Sequence, residues 1–307
     1  MTKKERVIMS KKIMSMLLVF SLILVGISAP VKVEAATKTA LNIRTLDMVK
    51  GQKQQLKVTG ASGKIKWKSS KKSVASVSGK GRVTAKKAGT ANITATVKGK
   101  KLSCKVTVRD KVSLKGKSLI IYFNPAENSN VSKKKLDAVS SASLTSYNGV
   151  KYGNSRVVAE MIKKYSGGKL SAVKTKHKYA ADYEGIRSYY VENEQDPATR
   201  PELTSTIKNL DAYDNIFVGF PMWHFTMPTP MYTMFDQYDF SGKNIIPFST
   251  TYGSDVSDAV DAIRQLEPNA VIISGLTVDT NGREITNVSK TDKKVYQWLK
   301  RVKNKLK

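Results

Sequence analysis

The chain has 307 residues and a formal net charge of +29, with one cysteine, Cys104, and two histidines, His177 and His224. A single cysteine excludes an intramolecular disulfide, zinc and iron–sulfur sites built on cysteine, and a Cys-x-x-Cys-His haem attachment. With two histidines and no metal-ligand spacing, we predict no metal site, and the length suggests about two domains.

The N-terminus has the features of a secretory signal peptide. Five basic residues in 3–12 precede an apolar run at 13–27, and Val33 and Ala35 occupy the positions that a signal peptidase reads. We predict that residues 1–35 form a signal peptide cleaved near Ala35, and that the mature protein is secreted or held at the cell envelope. The alternative is an uncleaved membrane anchor, but the apolar run is shorter than the roughly 20 residues that span a bilayer.

Positive charge is concentrated in the segment that follows. Residues 36–110 hold 19 Lys or Arg against two Asp or Glu, an excess of 17, whereas residues 111–307 hold 28 against 20, an excess of 8. A basic segment often binds nucleic acid. Outside the cell, however, the nearest polyanions are cell-wall polymers and anionic membrane surfaces. We therefore predict attraction to one of these and no nucleic-acid binding; the alternative is a solvated basic face without a specific partner.

Residues 36–110 alternate apolar and polar side chains in short runs such as "TANITATVKG" and "KLSCKVTVRD". Period two with turn signals about every 8–12 residues predicts an all-β sandwich. The stretch "IKWKSSKKSVASVSGKGRVTAKKAGTANITATV", which contains Trp67, resembles the bacterial immunoglobulin-like group 2 (Big2) domain. The resemblance implies a spacer or adhesion module without chemistry of its own. Residues 111–117 are predicted to be a linker.

From residue 118 onward, runs rich in Val and Ile alternate with amphipathic helices. Strands are predicted in "KSLIIYF", "KLSAVKT", "NIFVGF", "NIIPFST" and "AVIISGL", and helices in "SRVVAEMIKKY", "PMYTMFDQY", "SDVSDAVDAIRQL" and "KKVYQWLKRVKNKL". This alternation predicts an α/β domain with a doubly wound parallel sheet covered on both faces. Ligands of such sheets bind beyond the carboxyl ends of the strands, where the strand order reverses.

The loop after the third strand, "GFPMWHFTMPTPM", is unusual. Pro221 ends the strand and aromatic side chains follow at once, with Trp223 the largest. A planar side chain at a strand end can form a wall for a planar ligand ring, and stacking contributes ~0.5–1.5 kcal/mol beyond area burial. The alternative is that Trp223 fills the edge of the core.

Residues 118–307 resemble short bacterial flavodoxin-like domains. The matching segments are "IIYFN", "GNSRVVAEMI", "GFPMWHFTMPTPM", "YDFSGKNIIPFSTTYGSD" and "AVIISGLTV", in family order. The resemblance implies the strand order 2-1-3-4-5 and a site for flavin mononucleotide (FMN). Flavodoxin is itself a known case of ligand binding where the strand order reverses, with FMN between strands 1 and 3.

The resemblance also implies which residues would contact FMN. Those of the phosphate loop at a helix N-terminus would be Asn124, Gly153, Asn154 and Ser155. Those of the loop along the isoalloxazine ring would be Pro221, Met222, Trp223, His224 and Phe225. Those closing the other side would be Thr250, Thr251, Tyr252 and Gly253.

Some features depart from the family pattern. The phosphate loop is usually short, but here the 28 residues 125–152 separate Asn124 from Gly153, and we predict that this polar, Ser/Asn-rich insert is a surface excursion. Asn124 replaces the usual Ser, and Glu127 places a negative charge near the phosphate. The acidic segment 190–203 is predicted to be a solvated excursion.

No catalytic set is evident. A Gly-x-Ser-x-Gly motif is absent, and a Ser–His–Asp triad would have to use His177 or His224, neither of which has a flanking pattern for it. We therefore predict no catalytic residues. The first functional hypothesis is an exported FMN protein that exchanges electrons with a redox partner protein or a small-molecule acceptor. The alternatives are an FMN-dependent reductase of a small molecule such as a quinone, and a non-enzymatic wall-associated module that has lost its flavin.

Overall fold

A computed structural model describes residues 38–130, 144–253, 255–281 and 283–306. The predicted signal peptide lies outside the described residues. Within the described part, no helix is long and apolar enough to cross a bilayer.

Alternating side chains fold the first part of the chain into two facing β-sheets. The strands are β1 (Ala40–Leu41), β2 (Thr45–Val49), β3 (Lys53–Gln55), β4 (Val58–Thr59), β5 (Lys66–Ser69), β6 (Ala75–Val77), β7 (Arg82–Ala85), β8 (Gly89–Val97) and β9 (Lys100–Arg109). One sheet has the order β2-β9-β8-β5 and the other β3-β7-β6, with a small β1-β4 pair. The predicted all-β, Ig-like sandwich is confirmed. Cys104 is fully buried in its core, where burial raises the pKa of the thiol to about 12.

The second part of the chain forms a parallel sheet with helices on both faces. Its strands and helices are β10 (Ser118–Phe123), β11 (Leu144–Tyr147), β12 (Val150–Gly153), α1 (Asn154–Ser166), β13 (Lys169–Val173), α2 (Tyr183–Tyr189), β14 (Asn215–Pro221), α3 (Thr229–Gln237), β15 (Asn244–Thr251), α4 (Ser257–Leu266), β16 (Val271–Ile272), β17 (Leu276–Asp279) and α5 (Val288–Lys305). The order β13-β10-β14-β15-β16, parallel throughout, is the predicted 2-1-3-4-5 order.

The strands of this sheet are buried on both faces because successive side chains point to opposite helical layers. Ile120 packs with the buried faces of α1 and α5, and its neighbour Ile121 packs with those of α3 and α4. A run of apolar residues without alternation, such as 118–123, is therefore the pattern that the sheet requires.

The predicted fifth strand is divided into β16 and β17. Ile245 pairs with Ile272, but Phe248 pairs with Leu276, so the second strand contains one extra residue between the two pairs. Pro247 lies at the break, and proline has no N–H to donate to a ladder.

The insert in the predicted phosphate loop is not wholly a surface excursion. Its last part forms the hairpin β11–β12, and Tyr147 is 7% exposed and packs in the core with α1. Thr145 Oγ1 donates to Asn154 Oδ1 at 2.6 Å and accepts from Ile285 N at 2.7 Å. The prediction of a surface excursion is therefore wrong at Leu144, Thr145 and Tyr147, which are buried against distant parts of the chain, while residues 148–151 are exposed. Residues 131–143 lie outside the description.

A buried carboxylate joins the β-sandwich to the α/β part. Asp292 on α5 is fully buried and accepts hydrogen bonds from Tyr165 OH, from Lys164 Nζ and, at 2.9 Å, from Arg109 Nη1. Arg109 is the last residue of β9 and also donates to Asp47 Oδ1 at 2.6 Å. Burial raises the pKa of Asp292 and lowers the pKa of Lys164, and their mutual attraction opposes both shifts.

We expect Asp292→Asn to lower the free energy of unfolding by about 3–5 kcal/mol, because it leaves Lys164 and Arg109 without their buried carboxylate. The matched control is Asp261→Asn, which removes an exposed carboxylate paired with Arg264 and should cost at most about 1 kcal/mol. Urea unfolding of both variants measures the difference. Equal losses would show that the buried cluster does not stabilise the junction.

Candidate functional site

A cavity of about 620 Å³ opens at the carboxyl ends of β14 and β15. Its volume lies within the usual range for small-molecule sites, roughly 300–1,000 Å³. The lining residues are Asn154, Tyr183, Ile186, Arg187, Tyr190, Pro221, Met222, Trp223, His224, Phe225, Thr250, Thr251, Tyr252, Thr280, Asn281 and Arg283. The parallel sheet thus brings nine of the thirteen predicted site residues to one cavity; Asn124, Gly153, Ser155 and Gly253 do not line it.

The loop after β14 closes one side of the cavity with a tight two-residue turn. Trp223 N donates to Thr226 O at 2.9 Å and Thr226 N donates back to Trp223 O at 3.0 Å. The two central residues, His224 and Phe225, have φ of +44° and +68°, a region that Gly and Asn usually occupy in such turns. The His224 ring stacks on Tyr190 with centroids 4.5 Å apart. Backbone strain of this kind is concentrated at ligand-binding sites.

Two aromatic side chains of this turn, Trp223 and Phe225, differ in exposure: Trp223 is buried and Phe225 is exposed. Trp223 is only 6% exposed, and the edges of Phe123, Tyr179 and Tyr190 meet it at centroid distances of 5.7, 5.6 and 5.8 Å. Its Nε1 is buried and has no hydrogen-bond partner. This environment favours the alternative in which Trp223 fills the core edge, as the floor of the cavity.

The exposed rings are at the mouth of the cavity. Among the described residues, the large aromatic side chains that are most exposed are Tyr183, Phe225 and Tyr252, at 42, 68 and 76%, and all three line this cavity. A planar ligand that stacked on these rings would bury apolar surface that is now exposed to water. Phe225 and Tyr252 follow neighbouring strands, so their rings are available to a planar ligand at the sheet edge.

The predicted phosphate residues meet at the start of α1. Gly153 precedes the helix, no side chain caps that helix end, and a Cβ on Gly153 would overlap the Asn124 side chain. Asn124 Oδ1 accepts from Ala126 N at 2.8 Å, but its Nδ2 is buried without a partner. Ser155 Oγ lies 3.0 Å from Thr250 Oγ1. An uncapped helix start with free donors is a suitable place for an anion.

The negative charge of Glu127 is neutralised within the protein. Arg156 Nη1 lies 2.7 Å from Glu127 Oε1, and Tyr122 OH donates to Glu127 Oε2 at 3.1 Å. Burial and the Glu127 carboxylate raise the pKa of Tyr122. The departure from the family pattern at Glu127 is therefore compensated by Arg156, which lies in the first turn of α1.

Comparison with known families agrees with this architecture. A model of the flavodoxin family ("Flavodoxin") matches residues 142–302, and a model of the bacterial Ig-like domain (group 2) matches residues 29–108. This chain belongs to the flavodoxin family. The Big2 domain precedes the flavodoxin domain, as the sequence predicts. No curated protein matches the chain.

Solved structures similar to this flavodoxin-family chain come from several bacteria. A protein of Bacteroides uniformis ATCC 8492, provisionally described as a flavoprotein, is 24% identical over 60% of this chain and 98% of its own, with a TM-score of 0.45. A similarly described protein of Bacteroides eggerthii DSM 20697 is 22% identical over 62% and 98%, with a TM-score of 0.44. A flavoprotein of Lactobacillus acidophilus NCFM in complex with FMN is 20% identical over 53% and 92%, with a TM-score of 0.39. The family assignment rests on the family model and the strand order.

Two elements of this flavodoxin-family site were not predicted from the sequence. The helix α2 contributes Tyr183 and Arg187, and the turn after β17 contributes Asn281 and Arg283. The Asn–Gly pair at 281–282 after the fifth strand was a usable turn signal, whereas the short helix α2 has no strong periodicity. Arg283 O accepts from Asn154 Nδ2 at 2.7 Å, so this turn is fixed to the start of α1.

A buried glutamate supports the floor of the site. Glu194 is 1% exposed and accepts hydrogen bonds from Tyr179 OH at 3.0 Å and Thr229 Oγ1 at 2.8 Å. Burial raises its pKa. The prediction that 190–203 is a solvated excursion is therefore wrong at Glu194, since the π-helical turn 190–194 points this side chain inward, to Tyr179 and Thr229. No group of three or more His, Cys, Asp or Glu in the described residues could hold a metal ion.

We expect Trp223→Ala to lower the free energy of unfolding of the flavin-free protein by about 3–5 kcal/mol, because it leaves a hole among three packed rings. Phe225→Ala, two residues away and 68% exposed, is the matched control and should change it by about 0.5 kcal/mol. Chemical denaturation measures both. A Trp223→Ala loss no larger than the control's would show that Trp223 is not part of the core.

Proposed function

We propose that the cavity binds FMN and that the protein is an exported flavodoxin that carries electrons at the cell envelope. The observation that carries this proposal is the meeting, at one edge of the sheet, of exposed aromatic rings and an uncapped helix start. Membership of the flavodoxin family supports it. Bound FMN would supply the transfer of one or two electrons.

The residues present fit FMN in the cavity and at the neighbouring start of α1. At the ring end, Phe225 and Tyr252 offer exposed faces, and the buried Nε1 of Trp223 is a donor without a partner. At the phosphate end, the unpartnered Nδ2 of Asn124 lies beside Gly153, whose missing side chain leaves room for that amide. The protein would bind the ring by stacking, exclude water from its buried side and hold the phosphate at the start of α1.

The open mouth of the cavity suits exchange of electrons with a redox partner protein or a small-molecule acceptor. Because the side chains of Phe225 and Tyr252 at the mouth are exposed, one edge of a bound flavin ring would be accessible to a docking partner. We propose binding and positioning roles for the residues that line the cavity.

A second candidate is an FMN-dependent reductase of a small molecule such as a quinone. The observation that favours it is Arg187, which lines the cavity, is exposed and pairs with no carboxylate among the described residues. A guanidinium at the mouth can donate hydrogen bonds to the carbonyl oxygens of such an acceptor. Turnover with a reduced nicotinamide and a quinone, without any partner protein, separates this candidate from the electron carrier.

Features of the first 110 residues support the proposed export and attachment. The Big2 match, the predicted signal peptide and the excess of 17 positive charges in residues 36–110 support a location outside the cytoplasm. We propose that the Big2 domain holds the flavodoxin domain near anionic wall polymers or the membrane surface by charge attraction.

Flavin titration tests the site. We expect the mature protein to bind FMN at 1:1, and Phe225→Ala or Tyr252→Ala to weaken FMN and riboflavin equally, by about 5- to 150-fold per lost stacking contact. Ser155→Ala should weaken FMN more than riboflavin, which has no phosphate. Val271→Ala, exposed on a distant strand, is the control.

The outcomes of this titration separate the alternatives. A colourless protein that does not quench flavin fluorescence leaves only the wall-associated module. If Trp223→Ala weakens both flavins without lowering stability, Trp223 forms the ring wall, as the sequence suggested.

Salt extraction tests the attachment. Raising the salt concentration should release the protein from isolated cell envelopes, because attraction between exposed charges is screened within about 10 Å at 0.1 M ionic strength. Extraction with sucrose of equal osmolarity is the control and should release none. Retention at high salt would mean attachment by a covalent link, a protein partner or an uncleaved anchor.

A further inference from the structure

The outer face of the four-stranded sheet in the Big2 domain is polar and basic. Along β8, Ala91, Ile93, Ala95 and Val97 point into the sandwich, so the alternate residues point outward. The strand register places Lys66 beside Thr96 and Thr96 beside Lys101, and places Lys68, Thr94 and Ser103 in the next row. A third row pairs Asn92 with Lys105.

This arrangement makes a regular pattern of charge and hydroxyl groups. Successive rows on this face are two residues apart along each strand, which is about 6.8 Å. Lys66 and Lys101 lie on either side of Thr96 and are two strand spacings apart, about 9.6 Å. The four lysines, Lys66, Lys68, Lys101 and Lys105, are exposed and form no ion pair with a described residue. The central strand between them presents hydroxyl and amide side chains.

Acidic side chains are almost absent from this domain. Residues 36–110 contain two, Asp47 and Asp110. Asp47 lies beside Thr107 towards one end of the same face, in the row next to that of Lys105, and is paired with Arg109. Val49 at that end packs into the core of the flavodoxin domain. The flavodoxin domain therefore packs on one end of the face, where Arg109 of the sandwich neutralises Asp47, and the four lysines stay exposed to solvent.

We propose that this open face, defined by Lys66, Lys68, Lys101, Lys105, Thr94 and Thr96, binds a linear polyol-phosphate polymer. The lysines would pair with successive phosphates, and the threonine hydroxyls would exchange hydrogen bonds with the polyol between them. Charge complementarity selects a polyanion, and the hydroxyl row distinguishes a polyol phosphate from a polyanion without hydroxyls. The inference rests on the proposed attachment to anionic polymers and names the surface responsible.

The test compares two variants with the same loss of charge. In the face variant, Lys66, Lys68, Lys101 and Lys105 are each changed to Gln. In the control variant, four exposed lysines from the other side of the domain, Lys53, Lys80, Lys86 and Lys87, are each changed to Gln. Binding of the mature protein to immobilised poly(glycerol phosphate) at low salt should fall about 100-fold or more in the face variant and less than about fivefold in the control.

A second arm tests the hydroxyl row. Thr94→Val with Thr96→Val keeps the β-branched shape and should weaken poly(glycerol phosphate) binding, leaving inorganic polyphosphate binding unchanged. Equal losses in the two lysine variants would show diffuse attraction and overturn the proposal, as would a wild-type protein that does not bind. Should the quadruple variant fail to fold, the Lys66/Lys68 and Lys101/Lys105 pairs are changed separately. FMN affinity, measured on every variant, should stay constant, so failure here is distinct from failure of the flavin proposal.

Discussion

All the strands of the flavodoxin domain's central sheet run in one direction, and this constraint decides where the rest of the molecule can act. Parallel strands place their carboxyl ends on one edge, so the loops after β10, β14, β15 and β17 converge although they lie far apart in sequence. The reversal of strand order between β10 and β14 opens the crevice between those loops. The helix α1 begins at the same edge, which adds its free N–H groups to the aromatic loops. One topological fact therefore brings the aromatic loops and an uncapped helix start to the same edge.

The site itself combines a rigid floor with an open rim. Trp223 and Tyr179 are held by neighbouring rings, and Glu194 accepts hydrogen bonds beneath them, so the floor is packed and hydrogen-bonded on its inner side. The rim is different, because Phe225 and Tyr252 have little to pack against. A packed floor fixes the position of a ligand, and an open rim leaves one edge of it accessible. This division suits a protein that must bind a cofactor firmly and still reach a second molecule.

The buried Asp292 cluster connects the flavodoxin domain to the Big2 domain. Ion pairs in a buried junction impose a specific geometry, since a displaced partner would leave a charge without water or a counter-charge. Arg109 comes from the sandwich, and Lys164 and Asp292 come from helices of the flavodoxin domain. The basic face of the sandwich and the cavity at the carboxyl ends of β14 and β15 are thus parts of one folded unit. In this arrangement, attachment through the sandwich would also determine how far the redox site stands from the surface.

The sequence by itself determined the order of the two domains, the strand order and nine of the residues that line the cavity. Periodicity predicted the β-sandwich and the parallel α/β sheet because it records which side of each element must be apolar. The strand order and the nine residues came from the resemblance of particular segments to flavodoxin-like domains. Only the tertiary structure decided how polar and aromatic groups are distributed between core and surface. Trp223 is buried and Phe225 exposed because rings from distant segments pack on the first and not on the second. Glu194 and Tyr147 read as solvated in sequence, since their partners lie on other elements; burial of a single side chain depends on contacts that local pattern does not contain.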